Sequence, residues 1–292
     1  MSKIKSLTPA DIPALLPPRP AVSNKSTFGR VVAVCGSEGM CGAAYLAAKA
    51  AYRTGCGLVE IVTPEQNRIP LQTLLPEAIV TCYNSESPDT AAIARAVRGA
   101  DAVVVGCGLG TSLSAARVLD ATLTALRVPA VIDADALNLM AADSALWDAL
   151  RTPAIITPHP GEMSRLTGLS IDQVLQDLPE LAASFAKEHG VVCLLKHHKT
   201  AISSSVDTYI NQFGNSGMAT GGSGDVLAGI IAALLSQSKN QSTNTATDLC
   251  QTAALGALIH SLAGDCAAAR LGEYSVMASD IIEEIPIVLK NK

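Results

Sequence analysis

The feature that most constrains this chain is the stretch GNSGMATGGSGDVLAGIIAALL, residues 214–235. Its first eleven residues contain five glycines, and an apolar run of good helix formers begins at Val226. This change of composition predicts a loop that leads into a helix N-terminus, where unpaired backbone N–H groups attract anions. Because glycine lets the backbone approach an anion closely, the stretch predicts a phosphate site.

Asp225 stands at the junction between this loop and the helix. Its carboxylate would repel a phosphate bound by the same amides, so the residue needs a chemical role there. That role is either Mg²⁺ ligation or removal of a proton from an attacking hydroxyl. The alternative is an ordinary N-cap acid. No Gly-Lys-Ser/Thr sequence closes the loop, which excludes a Walker A motif.

Composition limits the class of protein. The chain has 292 residues, is 49% hydrophobic and 16% charged, and carries a net charge of −5, which fits one large α/β domain or two small ones. The mildly acidic net charge gives no basic surface of the kind that binds nucleic acid. We also find no apolar run of membrane-spanning length and no apolar core of a signal peptide. The eight cysteines form no CxxC pair, so we expect free thiols and a cytoplasmic location.

Residues 1–63 are predicted to form a lead segment and a first α/β unit. Residues 1–28 contain five prolines and read as a strap or an oligomer contact, with a short helix capped by Thr8 or Asp11. The strand GRVVAVCGS, an alanine-rich helix and the strand LVEIVT follow. Their glycine spacing is not GxGxxG, so a dinucleotide site is only weakly indicated.

Two further buried strands end in residues suited to ligand binding. DAVVVGCGLG, residues 101–110, ends in a glycine loop, and PAVIDADALN, residues 129–138, ends in Asp133, Asp135 and Asn138. Open α/β sheets bind ligands at the carboxyl ends of their strands, and a buried strand rarely ends in two acids without a partner. The alternatives are simple turn glycines and N-cap acids. The glycines expected to line the cleft are Gly106, Gly108 and Gly110.

Two later stretches carry candidate polar contacts. In AIITPHPGEMSRLTG, prolines on both sides hold His159 extended, and Glu162 follows three residues later. A metal site would need a third ligand, so we prefer substrate contact for His159. In VVCLLKHHKTAISS, Lys196 ends an apolar strand, where a cation can contact nucleotide phosphates.

Taken together, these motifs resemble one family. The pattern N-x-G-M-A-T-G-G-S-G-D-V-L-A-G, residues 215–229, resembles the loop of ribokinase-like kinases, and in detail that of the ADP- or ATP-dependent NAD(P)H-hydrate dehydratases, which repair hydrated nicotinamide cofactors. The runs G-S-x-x-x-x-G-A-A, V-I-D-A-D-A-L and T-P-H-P-G-E are similar to the same family, as is the C-terminal H-S-x-A-G-D…S-V-M-A-S-D-I-I-E-x-I-P. The resemblance extends over residues 24–287.

This resemblance implies a fold, a reaction and partners. The fold is a three-layer α/β/α sandwich with a mostly parallel central sheet, in a single domain over residues 1–292 without the epimerase domain often fused to it. The enzyme, a carbon–oxygen lyase, would phosphorylate the ring hydroxyl of hydrated NADH or NADPH and then eliminate phosphate. Implied partners are Mg²⁺ and ADP or ATP, with ADP favoured, and a homo-oligomer, most simply a tetramer.

The resemblance also implies roles by position. Asp225 would accept the hydroxyl proton, and the backbone amides of the preceding residues would stabilise the moving phosphoryl group. Those residues are Gly222, Ser223 and Gly224. The implied substrate contacts, besides Asp225, are Ala43, Gly108, Asp133, Asn138 and His159. The implied nucleotide contacts are Lys196, His197, His198, Lys199, Thr200 and Gly224. Glu162 would act on Mg²⁺ through water.

Three points stay open at this stage. The family sequence K-G-x-x-T reads K-H-H-K-T here, so His197 replaces a glycine. His260 and Asp265 could close over the adenine side, although helix packing and capping is the preferred interpretation. Two rival functions remain: a ribokinase-like kinase of the hydroxyethylthiazole or pyrimidine type, and a non-catalytic nucleotide-binding protein. An intact Asp225 argues against the second.

Overall fold

A computed structural model of the chain describes residues 4–238 and 245–290, and a ten-stranded sheet forms its centre. The strands are β1 (Ile4–Lys5), β2 (Arg30–Val34), β3 (Leu58–Pro64), β4 (Ile79–Tyr83), β5 (Ala102–Val105), β6 (Ala130–Ile132), β7 (Ala154–Ile156), β8 (Val192–Leu195), β9 (Thr200–Ser203) and β10 (Thr208–Asn211). They lie in the order β1-β10-β9-β8-β7-β6-β5-β2-β3-β4. Of these strands only β9 runs antiparallel to its neighbours, which confirms the mostly parallel sheet.

Helices cover both faces of this sheet. They are α1 (Ile12–Leu15), α2 (Cys41–Arg53), α3 (Arg68–Leu74), α4 (Thr90–Arg98), α5 (Leu113–Ala125), α6 (Asp135–Ala142), α7 (Ala145–Ala149), α8 (Pro160–Thr167), α9 (Ile171–Gln176), α10 (Leu178–His189), α11 (Ser223–Gln237), α12 (Ala246–Leu271) and α13 (Ala278–Lys290). One apolar core lies between the sheet and α4–α10, and a second lies between the sheet and α2, α3, α11 and α12. The predicted α/β/α sandwich is therefore confirmed.

The two-sided cover explains why the strands read as continuous apolar runs. In β2, Val32 and Val34 enter one core, while Val31 and Ala33 enter the other. A parallel strand covered by helices on both faces has no solvent side, so no polar alternation remains in its sequence.

Small residues allow α2 and α11 to pack closely. A Cβ on Gly229 would lie only 2.1 Å from the carbonyl oxygen of Ala47, so any side chain there would push the helices apart. Close packing of this kind is what the alanines and glycines of these two helices provide. The contact fixes α11 on the sheet and thereby sets where its N-terminus lies.

The strand order reverses at β2, the third strand from the β4 edge of the sheet. β3 and β4 continue on one side of β2, while β5, β6, β7 and β8 continue on the other. The loops that leave β2 and β5 therefore diverge and open a crevice at the carboxyl ends of the strands, where such sheets bind ligands. Across this point Gly36 N donates to Cys107 O at 2.8 Å.

Some expectations need correction. The N-terminal strap contains β1, which pairs in parallel with β10, and Thr8 caps the turn that follows it. The sequence over residues 171–190 predicts one helix, but the structure has two, because Asp177 caps α10 by accepting from Glu180 N. The pair Ser279 and Asp280 is typical of an N-cap for the last helix, but both residues lie inside the first turn of α13. The sequence also predicts an exposed polar loop over residues 235–246, of which 239–244 lie outside the described residues.

Helix α12 qualifies the expectation that no run reaches membrane-spanning length. It is the one described helix that is long and apolar enough to do so by length and composition. However, 61% of its 18-residue apolar window is buried inside the protein, and it packs against α11 and α13. This burial is that of a core helix. All eight cysteines are described and none forms a disulfide, which confirms the free thiols.

Candidate active site

The loop–helix junction lies where the sequence predicts it. Gly222 is the N-cap of α11 with a φ of 90°, and a Cβ there would lie 2.4 Å from Leu46 Cδ1. Both the backbone conformation and the close contact therefore require glycine. Of the three amides predicted to hold the phosphoryl group, that of Ser223 already donates to Thr220 O at 3.3 Å. Those of Gly222 and Gly224 belong to the same turn at the helix N-terminus.

Two side chains of α12 hold this loop in place. Ser223 Oγ and His260 Nε2 are 3.2 Å apart, and burial lowers the pKa of His260 to about 4, so its ring is neutral at neutral pH. Asp265 accepts from Gly214 N at 3.2 Å and from Asn215 Nδ2 at 2.9 Å. These contacts agree with the preferred interpretation of His260 and Asp265 as packing and capping residues.

Asp133 and Lys196 form a buried ion pair at the ends of β6 and β8. Lys196 Nζ donates to Asp133 Oδ1 at 2.8 Å and lies 3.9 Å from Glu162 Oε2. Burial opposes the charge on Lys196, but the two carboxylates outweigh it and raise the pKa of the ammonium. The positive charge of Lys196, the predicted phosphate contact, is therefore already balanced by Asp133 and Glu162. Asp133, predicted to contact substrate, is almost fully buried beneath it.

Asp225 lies against this ion pair. Ligand atoms of Asp225, Asp133 and Cys107 all lie within 4.8 Å of one another. Burial, and then the charge of Asp133, raise the pKa of Asp225 to about 6. A carboxyl group with its pKa moved toward neutrality is suited to accept a proton from a hydroxyl. The structure thus gives Asp225 the electrostatics of a general base.

Cys107 is a site residue that sequence reasoning missed. Most of the cysteines stand in apolar or glycine-rich segments, as small core residues do, and Cys107 is indeed buried. Its Sγ nevertheless lies 3.9 Å from Asp133 Oδ2, in the middle of the acidic cluster. The available signal was its position between Gly106 and Gly108, in the loop predicted to line the cleft.

His159 and Glu162 cap α8 reciprocally. His159 Nδ1 accepts from Gly161 N at 2.9 Å, and Glu162 Oε2 accepts from His159 N at 2.8 Å. The imidazole is half exposed, while Glu162 is buried and its Oε1 lies 3.3 Å from His159 Nε2. Partial burial, and then Lys196, lower the pKa of His159, whereas burial raises the pKa of Glu162. His159 is thus a neutral, rigid ring beside the acids.

Ala43 and Gly108, from two distant motifs, meet in the crevice. Gly108 has a φ of 62°, and a Cβ on it would lie 2.8 Å from Ala43 Cβ. At the same loop, a Cβ on Gly106 would lie 1.9 Å from Asp133 O. The loop can therefore approach both α2 and the end of β6 only because these residues are glycines.

Asn138 and Asp135 form a chain that ends at an arginine. Asp135 accepts from Gly110 N at 2.8 Å and, on its other oxygen, from Asn138 Nδ2 at 3.4 Å. Asn138 Oδ1 accepts from Arg165 at 3.0 Å. Both ends of the Asn138 amide are thus engaged within the protein. Arg165 was not predicted, although it continues the spacing of His159 and Glu162 along α8.

In the part of the chain that the structure describes, Lys196 is the member of the predicted nucleotide loop that forms ion pairs with the acidic cluster. Thr200 Oγ1 donates to His197 O at 3.0 Å and closes a tight turn. Among the described residues, Ala134 is the only non-glycine with a positive φ, so His197 replaces the family glycine without left-handed backbone. His198 and Lys199 instead line a cleft of about 570 Å³ at the sheet edge, beside Lys5 and Gln212.

Comparison with known proteins places these motifs in one family. The NAD(P)H-hydrate dehydratase family matches residues 31–287. The chain is 39% identical to a bifunctional NAD(P)H-hydrate repair enzyme of Moorella thermoacetica, covering 98% of this chain and 54% of that protein. It is 36% identical to an ADP-dependent (S)-NAD(P)H-hydrate dehydratase of Lactiplantibacillus plantarum, covering 92% of this chain and 90% of that one.

Solved structures agree with these relatives. An ADP/ATP-dependent NAD(P)H-hydrate dehydratase of Bacillus subtilis, co-crystallised with ATP and Mg²⁺, superposes with a TM-score of 0.81 at 28% identity, covering 99% of each chain. The chain spans about half the length of the bifunctional relatives it matches. Because the family match covers far more than half of the chain, this protein belongs to the NAD(P)H-hydrate dehydratase family, within the ribokinase-like superfamily.

Proposed function

We propose that this chain converts hydrated NADH or NADPH back to the reduced cofactor, with ADP as the phosphoryl donor. The observation that carries the proposal is the position of Asp225. It lies in the first turn of α11, whose N-terminus suits a phosphoryl group, and its carboxylate is within 4.8 Å of Cys107 Sγ, in the loop where Gly108 meets Ala43. Its pKa of about 6 suits a base that must be ionised near neutral pH.

The proposed reaction has two stages. In the first, the ring hydroxyl oxygen bonds to the terminal phosphorus of ADP, the bond to the bridging oxygen breaks, and AMP leaves. Asp225 takes the hydroxyl proton, and the amides at the start of α11 stabilise the phosphoryl charge. In the second, the ring nitrogen lone pair expels phosphate, and loss of a proton from the adjacent carbon restores the double bond. Phosphorylation matters because phosphate leaves far more readily than hydroxide.

The side chains divide between the two ligands in this proposal. The nicotinamide side is formed by Ala43, Gly108 and His159, whose ring is held in one orientation by the α8 cap. The donor nucleotide is bound by Gly224 and by the turn from Lys196 to Thr200, which runs from the ion pair to the cleft lined by His198 and Lys199. Asp133 and Asn138 act indirectly in this proposal. Asp133 accepts a hydrogen bond from Lys196 and holds it in position, and Asn138 donates a hydrogen bond to Asp135.

The donors of the site fit Mg²⁺, which prefers carboxylate oxygens. The negative charge of Asp133 contributes to the raised pKa of Asp225. A cation bound beside the two carboxylates would reduce this repulsion. Both oxygens of Glu162 already contact His159, which favours a contact with Mg²⁺ through water over direct ligation. When bound with the nucleotide, Mg²⁺ neutralises phosphate charge. We also propose a cytoplasmic, homo-oligomeric enzyme.

Product analysis tests this function. Hydrated NADH incubated with Mg²⁺ and ADP should regain the absorbance of NADH, with one phosphate and one AMP formed per turnover. A parallel reaction with ATP measures donor preference, and hydrated NADPH measures substrate preference. Asp225→Asn is the matched inactive control.

The rival functions predict other products. A ribokinase-like kinase would accumulate a stable phosphorylated thiazole or pyrimidine alcohol and leave hydrated NADH untouched. A non-catalytic protein would bind nucleotide without forming AMP or free phosphate. Either result overturns the dehydratase proposal.

A further inference from the structure

We infer that Arg165 binds the phosphate groups of the hydrated dinucleotide substrate. This inference rests on the function proposed above. It goes beyond that proposal because neither the sequence motifs nor the residues expected to contact substrate include a cation for the dinucleotide's phosphates.

Arg165 lies one turn after Glu162 on α8, and residues three apart on a helix are neighbours on its surface. Glu162 is buried, His159, the N-cap of α8, is half exposed, and Arg165 is exposed. Burial, then Lys196 and then Arg165 lower the pKa of His159, and the charge of Arg165 also opposes the rise that burial causes in the pKa of Glu162. The guanidinium therefore lies within electrostatic reach of the two α8 residues expected beside the substrate.

Arg165 acts on the carboxylate of Glu162 through its charge, which opposes the rise that burial causes in the pKa of Glu162, and not through a direct ion pair. Its guanidinium donates to the neutral amide of Asn138 at 3.0 Å, and no carboxylate in residues 4–238 or 245–290 forms an ion pair with it. Lys196, by contrast, is paired with two acids. A dinucleotide brings at least two negative charges, so an unpaired cation beside the crevice is the group that can receive them. Guanidinium groups suit phosphates because they can donate two parallel hydrogen bonds.

The side chain is also held in place before any ligand arrives. Asn138 orients Arg165, Asp135 orients Asn138, and Asp135 holds Gly110 N in the loop that contains Gly108. The same chain of hydrogen bonds thus sets both the crevice loop and the cation. Pre-organisation of this kind reduces the cost of ordering a side chain on binding.

The chemistry of the substrate matches this geometry. The ring to be dehydrated must sit by Asp225, and the pyrophosphate is joined to it through one ribose. With the ring between Asp225 and His159, the pyrophosphate lies one ribose away from His159, within the electrostatic reach of Arg165. Hydrated NADPH carries a third phosphate on the adenosine ribose, which is a second possible partner of the same chemical class.

The test compares Arg165→Gln, Arg165→Lys and a matched control, Arg95→Gln, which removes an exposed arginine from α4. KM and kcat are measured for hydrated NADH, hydrated NADPH and ADP. We expect Arg165→Gln to raise the KM for both hydrated cofactors about 10- to 100-fold, as for loss of a charged hydrogen bond. The kcat and the KM for ADP should stay within about twofold, and Arg165→Lys should recover part of the loss.

Each outcome has a distinct meaning. A rise in KM for both cofactors assigns Arg165 to the pyrophosphate, and a rise for hydrated NADPH alone assigns it to the third phosphate. Unchanged KM values, a fall in kcat alone, or a rise in the KM for ADP instead would overturn the inference. If the wild-type protein does not turn over hydrated NADH, the proposed function itself fails.

Discussion

Asp225 is held in surroundings that favour its protonated form, although its proposed role requires the ionised one. Burial and the neighbouring Asp133 raise its pKa, and Lys196, which would oppose that effect, is largely committed to Asp133. The residue therefore combines a function with a cost in stability, as residues at active sites often do. Both can be measured with one substitution.

Asp225→Asn keeps the shape of the side chain and removes the base. We expect turnover to fall at least ~100-fold, which is the low end for loss of a general base. Nucleotide affinity should stay within a few-fold, because the loop and helix amides are unchanged. Steady-state phosphate release and nucleotide titration check the two expectations, and near-normal turnover would contradict the assignment of Asp225.

The same substitution should stabilise the fold at neutral pH. The pKa of Asp225 rises from 3.8 to about 6 on folding, so the unfolded chain ionises first as pH rises. Native stability is therefore lost as the pH rises from about 4 to 6, by an amount on the order of 3 kcal/mol. Asp225→Asn should unfold at a higher temperature than wild type at pH 8, and the gain should vanish near pH 4. A pH-independent difference would show that burial of the carboxylate is not its cause.

The residues differ in how far sequence could identify them. Asp225 and His159 stand inside compact motifs, so local composition was enough. The Asp133–Lys196 pair joins residues 63 positions apart and exists only because β6 and β8 both end at this edge of the sheet. Arg165 reads as an ordinary charged residue on a helix surface, and only its contact with Asn138 distinguishes it.

Among the elements, α11 and α12 have different roles at the proposed phosphate site. α11 presents its N-terminus, while α12 fixes the preceding loop through His260 and Asp265. The apolar run that begins at Val226 predicts α11, and the C-terminal segment reads as two helices, which are α12 and α13. The sequence could not predict β1, because two residues are too few to show an alternating pattern. This strand exists only through its pairing with β10.

Asp265→Ala tests whether α12 positions the loop. The substitution removes two hydrogen bonds to Gly214 and Asn215, so we expect the KM for ADP to rise on the order of tenfold, as misplaced groups cost rate and affinity. Asp248→Ala is the matched control, since this acid on the same helix caps its N-terminus with Thr245. The control should lower thermal stability without changing the KM for ADP. Equal effects of the two variants would mean that α12 acts only through stability.

At the scale of the whole molecule, the crevice follows from topology. The reversal of strand order at β2 brings loops from both halves of the sheet to the carboxyl ends of the strands. Because strands and helices alternate along the sequence, a crevice of this kind could be expected from the sequence. The edge cleft beside His198 and Lys199 could not be expected in the same way. It depends on β1 and on the break between α9 and α10, and neither was predicted.

The outer surface at the opposite edge supports the predicted homo-oligomer. On α3, Ile69 is 74% exposed and Leu74 is 52% exposed, and Ile79 on the adjoining edge strand β4 is 45% exposed. Large apolar side chains grouped beside an open strand edge are typical of surfaces that another chain covers, and a second copy meets them with the same residues under twofold symmetry. We therefore expect light scattering at micromolar concentration to give a multiple of the 30.0 kDa chain mass, with a tetramer expected.

Ile69→Lys should reduce that mass, because burying an unpaired ammonium in an apolar contact is costly. Ile171→Lys changes an exposed isoleucine on α9, at the other end of the sheet, and should leave the mass unchanged. Both substitutions change exposed side chains, so neither should disturb contacts within the monomer. Both variants should therefore unfold near the wild-type temperature. A monomeric wild-type protein would contradict oligomerisation itself. An unchanged mass for Ile69→Lys would instead move the contact away from α3 and β4.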